Sequence, residues 1–212
     1  MSDFFSIQNI ACTLMGYSMS WLELLATGFT LLNVWLAIRQ HMFNWPAGLV
    51  AIVLSFLLFY QSSLYADAFL QIFFFVVSCY GWYHWAFGHK RNDTLPVTAL
   101  APATRIQVVA AVIAGSVLAG YVIRHLNIWM PAYFTQPAAY PYPDSFVMVG
   151  SFAGQWLLAR KRIENWWCWM GVNSVAVIIY FYKDIRIFSL LYLLLLFMAV
   201  SGYRQWKRDL KS

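Results

Sequence analysis

Charged side chains are scarce in this sequence. Asp, Glu, Lys and Arg make up 10% of its 212 residues, whereas soluble proteins carry about 25%, so the chain has too few charges to cover a soluble surface. Seven of the stretches that lack all four residue types are candidate spans: 24–38, 40–66, 68–89, 106–123, 145–159, 165–182 and 187–203. Most of them approach the roughly 20 apolar residues that cross a bilayer as a helix. Barrel strands alternate polar and apolar residues, and the run 190–200 does not, so the predicted spans are helical.

Cysteine and histidine are also few, and their spacing argues against a cofactor site. Cys12, Cys79 and Cys168 form no CxxC pair, and the four histidines have no metal-binding spacing. The predicted spans contain no carboxylate cluster that would bind sodium and no pair of catalytic side chains. We therefore expect no cofactor, no metal and no enzymatic activity. The net charge of +6 is attributed to loops that orient the helices, not to nucleic-acid binding.

The charge-free stretches predict seven membrane-spanning helices, at 20–38, 43–60, 64–87, 104–126, 145–160, 164–182 and 185–205. Residues 4–19 are short and moderately polar, which favours an interfacial helix over an eighth span. Lys and Arg divide eleven to three between the two alternating sets of loops. Because positive residues accumulate on the cytoplasmic side, the N-terminus is predicted outside and the C-terminus in the cytoplasm.

The two ends of the sequence repeat one another. A shift of 121 residues, the separation of Trp35 from Trp156, aligns them without a gap. The matched pairs are Trp35 with Trp156, Leu36 with Leu157, Arg39 with Arg160, Asn44 with Asn165, Trp45 with Trp166, Gly81 with Gly202, and Trp85 with Trp206. Two parallel units of three helices need one helix between them. The predicted fold is thus an all-α integral membrane protein in which two three-helix repeats are joined by a linker helix, an arrangement typical of carriers with a site between the halves.

The repeat also divides the chain into parts. They are an N-terminal interfacial segment (1–19), a first three-helix bundle (20–87), a linker with helix four (88–143), a second three-helix bundle (144–206) and a cytoplasmic tail (207–212). The polar stretch near the start of the linker is the clearest break in the hydrophobic pattern.

Polar side chains inside the spans are the candidate substrate ligands, because they are costly in lipid. Gln71 lies in the third predicted helix, and the repeat pairs it with Tyr192 in the seventh. Both would lie at one depth and could face a central cavity. Trp82 is about three turns from Gln71 on the same helix face. The alternative for Gln71 is a hydrogen bond that packs two helices together.

The sixth predicted helix offers a second group. Trp166, Trp169 and Asn173 follow i, i+3, i+7 spacing and share one face, and Asn173 lies about 13 Å into the helix at 1.5 Å per residue. An amide near the bilayer centre with an indole one turn away suits a flat polar heterocycle. The alternative for Trp166, as for its neighbour Trp167, is the aromatic belt at the interface.

Three segments resemble one known family. They are LYADAFLQIFFFVVSCYGWYHW (64–85), DSFVMVGSFAGQWLLARKRIENWWCWMGVNSVAVIIY (144–180) and DFFSIQNI (3–10), and they are similar to the PnuC family of vitamin transporters. The resemblance implies a seven-helix fold like that of a SWEET protein, a homotrimer and a bacterial inner membrane. It also implies uptake of nicotinamide riboside by facilitated diffusion, with trapping by a cytoplasmic ribosylnicotinamide kinase. The lack of a carboxylate cluster in the predicted spans favours the same mode of transport, facilitated diffusion through alternating access.

Several alternatives remain open at this point. A carrier of the same fold for thiamine, riboflavin or a sugar fits the same pattern, whereas nicotinamide mononucleotide fits less well because the spans offer no Arg or Lys for its phosphate. A membrane-embedded enzyme would need a catalytic pair or metal set in the spans. A passive channel would not show saturable uptake.

Overall fold

A computed structural model describes residues 4–14, 16–88, 95–133 and 136–210. Within these residues, seven helices follow one another along the chain. They are α1 (Trp21–Ile38), α2 (Asn44–Gln61), α3 (Tyr65–Phe87), α4 (Pro102–Trp129), α5 (Pro141–Ala159), α6 (Asn165–Tyr182) and α7 (Arg186–Asp209). All seven predicted helices are present, with most ends within a few residues of the predicted ones. Helix α5 begins earlier than predicted because prolines are tolerated in a first helical turn, where the N–H groups have no partner within the helix.

The N-terminal segment is a β-hairpin, so the prediction of an interfacial helix over 4–19 is wrong. Strands β1 (Ile10–Leu14) and β2 (Tyr17–Ser20) pair antiparallel. Gly16, between them, has a φ of +83°, a left-handed conformation that glycine adopts without a Cβ clash. The moderate polarity that suggested an interfacial helix reflects exposed and half-buried strand residues instead.

The hairpin leads directly into α1 through a capping box. The Glu23 amide donates to Ser20 Oγ at 3.2 Å, and the Ser20 amide donates to Glu23 Oε2 at 3.1 Å, so two amides at the helix start are satisfied. The Tyr17 hydroxyl donates to Glu23 Oε1 at 2.6 Å. Burial and this hydrogen bond raise the pKa of Tyr17 to about 12. Glu23 is therefore part of a structural cap.

Four helices in the described part of the chain are long and apolar enough, by length and composition, to cross a membrane: α1, α2, α4 and α7. The remaining helices, α3, α5 and α6, also contribute polar side chains to the space between the halves. Gln71 comes from α3, Ser151 and Gln155 from α5, and Asn173 from α6.

The two halves repeat in three dimensions. Helices α1–α3 map onto α5–α7 under the same shift of 121 residues, and α4 joins them. The turns repeat as well: Gln40 and Lys161 have φ of 55° and 53°, and Ser63 and Asp184 have 59° and 56°. Matching left-handed residues at matching positions confirm the predicted fold of two parallel three-helix repeats and a linker helix.

The halves contact each other through the third helix of one and the first helix of the other: α3 packs on α5, and α7 on α1. Trp85 Nε1 donates to the carbonyl oxygen of Leu158 at 3.2 Å, and Trp206 Nε1 donates to that of Ala37 at 3.1 Å. Trp85 is the repeat counterpart of Trp206, and Ala37 that of Leu158. We call this reciprocal pair of bonds the latch. It lies at the end of the bundle where the chain ends.

Two glycines make room for the tryptophans that pack behind the latch. A Cβ at Gly81 would overlap the ring of Trp45, and a Cβ at Gly202 would overlap the ring of Trp166. Both rings are 2% exposed, so neither can move outward. The two glycines that the repeat aligns are therefore required by packing.

We expect Gly81→Ala and Gly202→Ala each to lower the free energy of unfolding by about 1–3 kcal/mol, the usual cost of overpacking a core. The measurement is the unfolding midpoint of the purified protein in detergent. Gly28→Ala in α1 is the matched control, because a Cβ there has no neighbour within 4 Å. A control as destabilised as the two variants would contradict the packing argument.

The linker is fixed to the turn between α5 and α6. The Thr98 amide donates to the Lys161 carbonyl at 3.1 Å, and the Ile163 amide donates to the Thr98 carbonyl at 3.0 Å. Glu164 Oε1 accepts from the Leu100 amide at 3.0 Å and from Arg105 Nε at 2.8 Å. These bonds hold the start of α4 against the second half.

Lys161 is buried within this junction, at 4% exposure. Its Nζ donates to the Leu95 carbonyl and lies 4.8 Å from the ring centroid of Trp85. Burial lowers the pKa of its ammonium group from 10.5 to about 8. Between these two values the unfolded chain binds more protons than the folded one, so this group makes stability rise with pH.

We expect the unfolding midpoint of the wild type to rise, relative to that of Lys161→Met, as pH increases from about 7.5 to about 9.5. Methionine keeps much of the apolar length but cannot titrate. Comparing the two proteins at each pH removes the contribution of other titrating groups. A constant difference across this range would mean that Lys161 has its ordinary pKa in the folded chain.

Candidate functional site

A cavity of about 260 Å³ lies between the two halves. All six helices of the two bundles line it. Its polar lining residues are Thr30, Asn33, Ser55, Gln71, Ser151, Gln155, Asn173 and Tyr192. Among the described residues, no Asp, Glu, Lys or Arg lines it. The cavity is near the lower end of the volumes of small-molecule sites, and like them it combines apolar walls with a few polar groups.

Five of the six predicted site residues line this cavity: Gln71, Trp166, Trp169, Asn173 and Tyr192. Gln71 on α3 and Tyr192 on α7 come from matching positions of the two halves. Asn173 is buried at 5% exposure, and Trp166 at 2%. The structure thus brings together residues that are far apart in the sequence. Their role as substrate ligands stays a prediction.

Trp82 is the exception. Its side chain is 41% exposed, and it does not line the cavity. The buried stripe of α3 runs through Ser78, Gly81 and Trp85, so Trp82 lies beside the packed face. Helix phase alone placed Trp82 on the face of Gln71. The buried stripe rotates slowly around a long helix, however, so over three turns it moves away from Trp82.

Two amides in the lining were missed from the sequence, Asn33 on α1 and Gln155 on α5. Gln155 Nε2 donates to Ser78 Oγ at 3.0 Å, and both side chains are buried. This bond joins α5 to α3 across the two halves. Both residues could have been found from the sequence by the rule applied to Gln71, because a lone amide within an apolar span points into the protein.

The two walls of the cavity differ at matching positions. In the first half Asn33 lies against Gly48, with its side-chain atoms 3.2 Å from an added Cβ. In the second half Trp169 lies against Gly154, at 3.1 Å. The repeat aligns Asn33 with Gly154 and Gly48 with Trp169. Each half therefore pairs a glycine with a larger side chain, but one wall presents an amide and the other an indole.

Aromatic rings close the cavity at the end where the latch lies. The rings of Trp45 and Trp85 meet edge to face at 5.3 Å, and those of Trp166 and Trp206 at 5.5 Å. Trp166 both lines the cavity and packs on Trp206 of the latch. A ligand that contacts Trp166 therefore contacts a ring that packs directly on Trp206, which donates one of the two bonds joining the halves.

Toward the opposite end, the ring of Tyr192 stacks on that of Tyr180, with centroids 5.2 Å apart and planes 11° apart. In the described part of the chain, no group of three His, Cys, Asp or Glu side chains could hold a metal ion. The arrangement can thus stack a planar ring and satisfy several hydrogen bonds, and it supplies no charged side chain to a ligand.

Known proteins match nearly the whole chain. Residues 20–208 match the model of the family described as nicotinamide mononucleotide transporter. The nicotinamide riboside transporter PnuC of Escherichia coli K12 is 32% identical, across 96% of this chain and 94% of that protein. The riboflavin/roseoflavin transporter RibM of Streptomyces davaonensis is 23% identical, across 94% and 91%.

A solved structure has the same fold. The crystal structure of the vitamin B3 transporter PnuC covers 90% of this chain and 82% of its own chain, with a TM-score of 0.68 and 21% identity. The likeness extends over both three-helix bundles, because it covers nine tenths of the chain. It supports the architecture described above.

Proposed function

Because this chain belongs to the nicotinamide mononucleotide transporter family, and is therefore a multi-pass membrane transporter and not an enzyme, we propose that its substrate is nicotinamide riboside. The observation that carries this proposal is the lining of the cavity, with two indoles, several amides and, among described residues, no charged side chain. A phosphate calls for Arg or Lys, so the riboside suits this lining better than the mononucleotide.

In this proposal the pyridinium ring stacks on Trp169. A desolvated cation over an indole gains up to about 2 kcal/mol, so no buried carboxylate is needed. Asn173 lies one turn from Trp169 and forms hydrogen bonds with the carboxamide of the substrate. Gln71 and Asn33, on the first half, form hydrogen bonds with the ribose hydroxyls.

The proposed transport mechanism depends on movement of the two halves relative to each other and on the latch between them. We propose facilitated diffusion by alternating access, in which the latch closes the cytoplasmic end and opens when the halves rock. The count of eleven against three positive residues supports an outside N-terminus and a cytoplasmic C-terminus. Phosphorylation by a cytoplasmic ribosylnicotinamide kinase would trap the substrate, and the carrier is proposed to be a homotrimer in the inner membrane.

Riboflavin is the second candidate substrate, because RibM is similar to this chain over most of its length. Its tricyclic ring system is larger than a pyridinium ring, and the cavity of about 260 Å³ favours the smaller ligand.

A panel of ligands tests the proposal. The purified protein is heated with nicotinamide riboside, nicotinamide mononucleotide, riboflavin or thiamine, since a ligand that binds the folded state raises the unfolding midpoint. The riboside is expected to give the largest shift and saturable binding by calorimetry. A larger shift with the mononucleotide that is lost in Trp169→Ala would place it in the cavity and contradict the role of the uncharged lining, and a larger shift with riboflavin would favour the second candidate.

A further inference from the structure

The repeat produces two equivalent grooves at the end of the bundle where the chain terminates. One lies between α3 and α5, and the other between α1 and α7. Each groove has an indole from the first helix of a half on one wall, Trp156 or Trp35, and an arginine over that indole. Arg160 lies 4.6 Å from the ring centroid of Trp156, and Arg39 lies 4.3 Å from that of Trp35.

The groove between α3 and α5 is filled by an aromatic ring of the chain itself. Tyr80 stacks on Trp156, with centroids 5.3 Å apart and planes 14° apart. Tyr80 also stacks on His84, at 5.6 Å and 8°. Three parallel rings therefore pack together at this position, beside the Arg160 guanidinium.

The groove between α1 and α7 lacks this ring. The repeat aligns Tyr80 with Ser201 and His84 with Gln205, and both replacements line an open groove together with Trp35 and Arg39. Its remaining walls are the apolar side chains of Ile38, Phe197 and Met198. The indole of Trp35 is 44% exposed. Ser201 and Gln205 thus occupy the positions at which the other half has the rings of Tyr80 and His84.

We propose that the groove between α1 and α7 is a second binding site, separate from the central cavity, for a planar aromatic ring that carries an anionic group, as in an aromatic mononucleotide. The ring takes the place that Tyr80 occupies in the other half and stacks on Trp35. Gln205 and Ser201 supply hydrogen bonds to its polar edge. In the described part of the chain no carboxylate pairs with Arg39, so its guanidinium is available to a phosphate.

The charges around the groove favour an anion. Arg204, Lys207 and Arg208 follow Ser201 within two turns of α7, and these three positive residues outnumber the one nearby carboxylate, Asp209, which accepts a bond from Gln40. The groove also adjoins the latch, because Gln205 precedes Trp206 and Arg39 lies two residues after Ala37. A nucleotide held here contacts the chain beside the bonds that join the halves.

Two opposite substitutions test the site, with adenosine monophosphate as the probe and equilibrium dialysis of the purified full chain as the measurement. Ser201→Tyr supplies the missing ring and is expected to lower nucleotide binding at least tenfold. Tyr80→Ser empties the equivalent groove and is expected to add a second bound nucleotide. Arg39→Gln is expected to reduce binding of adenosine monophosphate to the level of adenosine, which lacks the phosphate.

Neither Ser201 nor Tyr80 lines the central cavity, so binding of nicotinamide riboside should be unchanged in both variants and also reports correct folding. Trp169→Ala should conversely leave nucleotide binding intact, which separates this site from the proposed function. Equal nucleotide binding by the wild type and both variants would overturn the proposal. So would a phospholipid that copurifies with the wild type, is lost in Ser201→Tyr and is not displaced by the nucleotide.

Discussion

Replacing Trp169 by alanine is expected to weaken binding of nicotinamide riboside about thirtyfold. The indole lies against Gly154 and lines the cavity, where it would stack on the pyridinium ring. Loss of a desolvated cation–π contact costs about 2 kcal/mol, and 1.4 kcal/mol corresponds to about tenfold in affinity. Titration calorimetry of the purified protein measures the change.

Two further variants define the cause. Trp129→Ala removes an exposed indole from α4, far from the lining, and should leave affinity unchanged. Trp169→Phe keeps an aromatic face and should recover part of the loss, since a phenyl ring binds cations less strongly than an indole. An affinity within about twofold of the wild type for Trp169→Ala would place the ring of the substrate elsewhere.

Removing both bonds of the latch is expected to open the end of the carrier where the latch lies. In Trp85→Phe with Trp206→Phe a smaller aromatic ring remains at each position and both indole donors are lost. A hydrogen bond contributes about 1 kcal/mol, so each single variant should shift the equilibrium toward the open state about fivefold, and the double variant about thirtyfold. The two bonds are related by the repeat, and their effects should be equal.

A cysteine in the cavity reports this opening. Leu195→Cys places a thiol in the lining, in a chain whose three native cysteines are replaced by serine. Its labelling rate by a membrane-impermeant thiol reagent, added on the side of the C-terminus, should rise in step with the equilibrium. Trp129→Phe serves as the control. Unchanged labelling in the double variant would mean that other contacts close this end.

The sequence predicted the helices and the repeat well because both leave periodic or repeated signals. Charge-free stretches located the seven spans, and matched pairs such as Gly81 with Gly202 defined the register that the structure confirms. The hairpin near Gly16 was missed because its strands are short and only partly buried. Length and polarity alone do not distinguish such strands from an interfacial helix.

The candidate site was harder to predict because it depends on how helices face one another. The pairing of Gln71 with Tyr192 through the repeat located residues that do line one cavity. Trp82 was assigned by helix phase alone, and packing of Gly81 and Trp85 turns it outward. The sequence rule for a lone amide in an apolar span places Asn33 inside the protein, but only its contact with Gly48 shows which wall of the cavity it forms.

The glycine and the larger side chain occupy opposite positions in the two walls of the cavity. This difference has a consequence for how the carrier evolved from two three-helix units. Two identical three-helix units would build a cavity with equal walls, in which an elongated ligand binds equally well in either of two reversed directions. Joining the units through α4 lets Asn33 and Trp169 differ at positions that identical subunits would be forced to share. In the proposed pose, this difference lets a single chain distinguish the ring end of nicotinamide riboside from its sugar end, so that every molecule would enter the transport cycle in the same orientation.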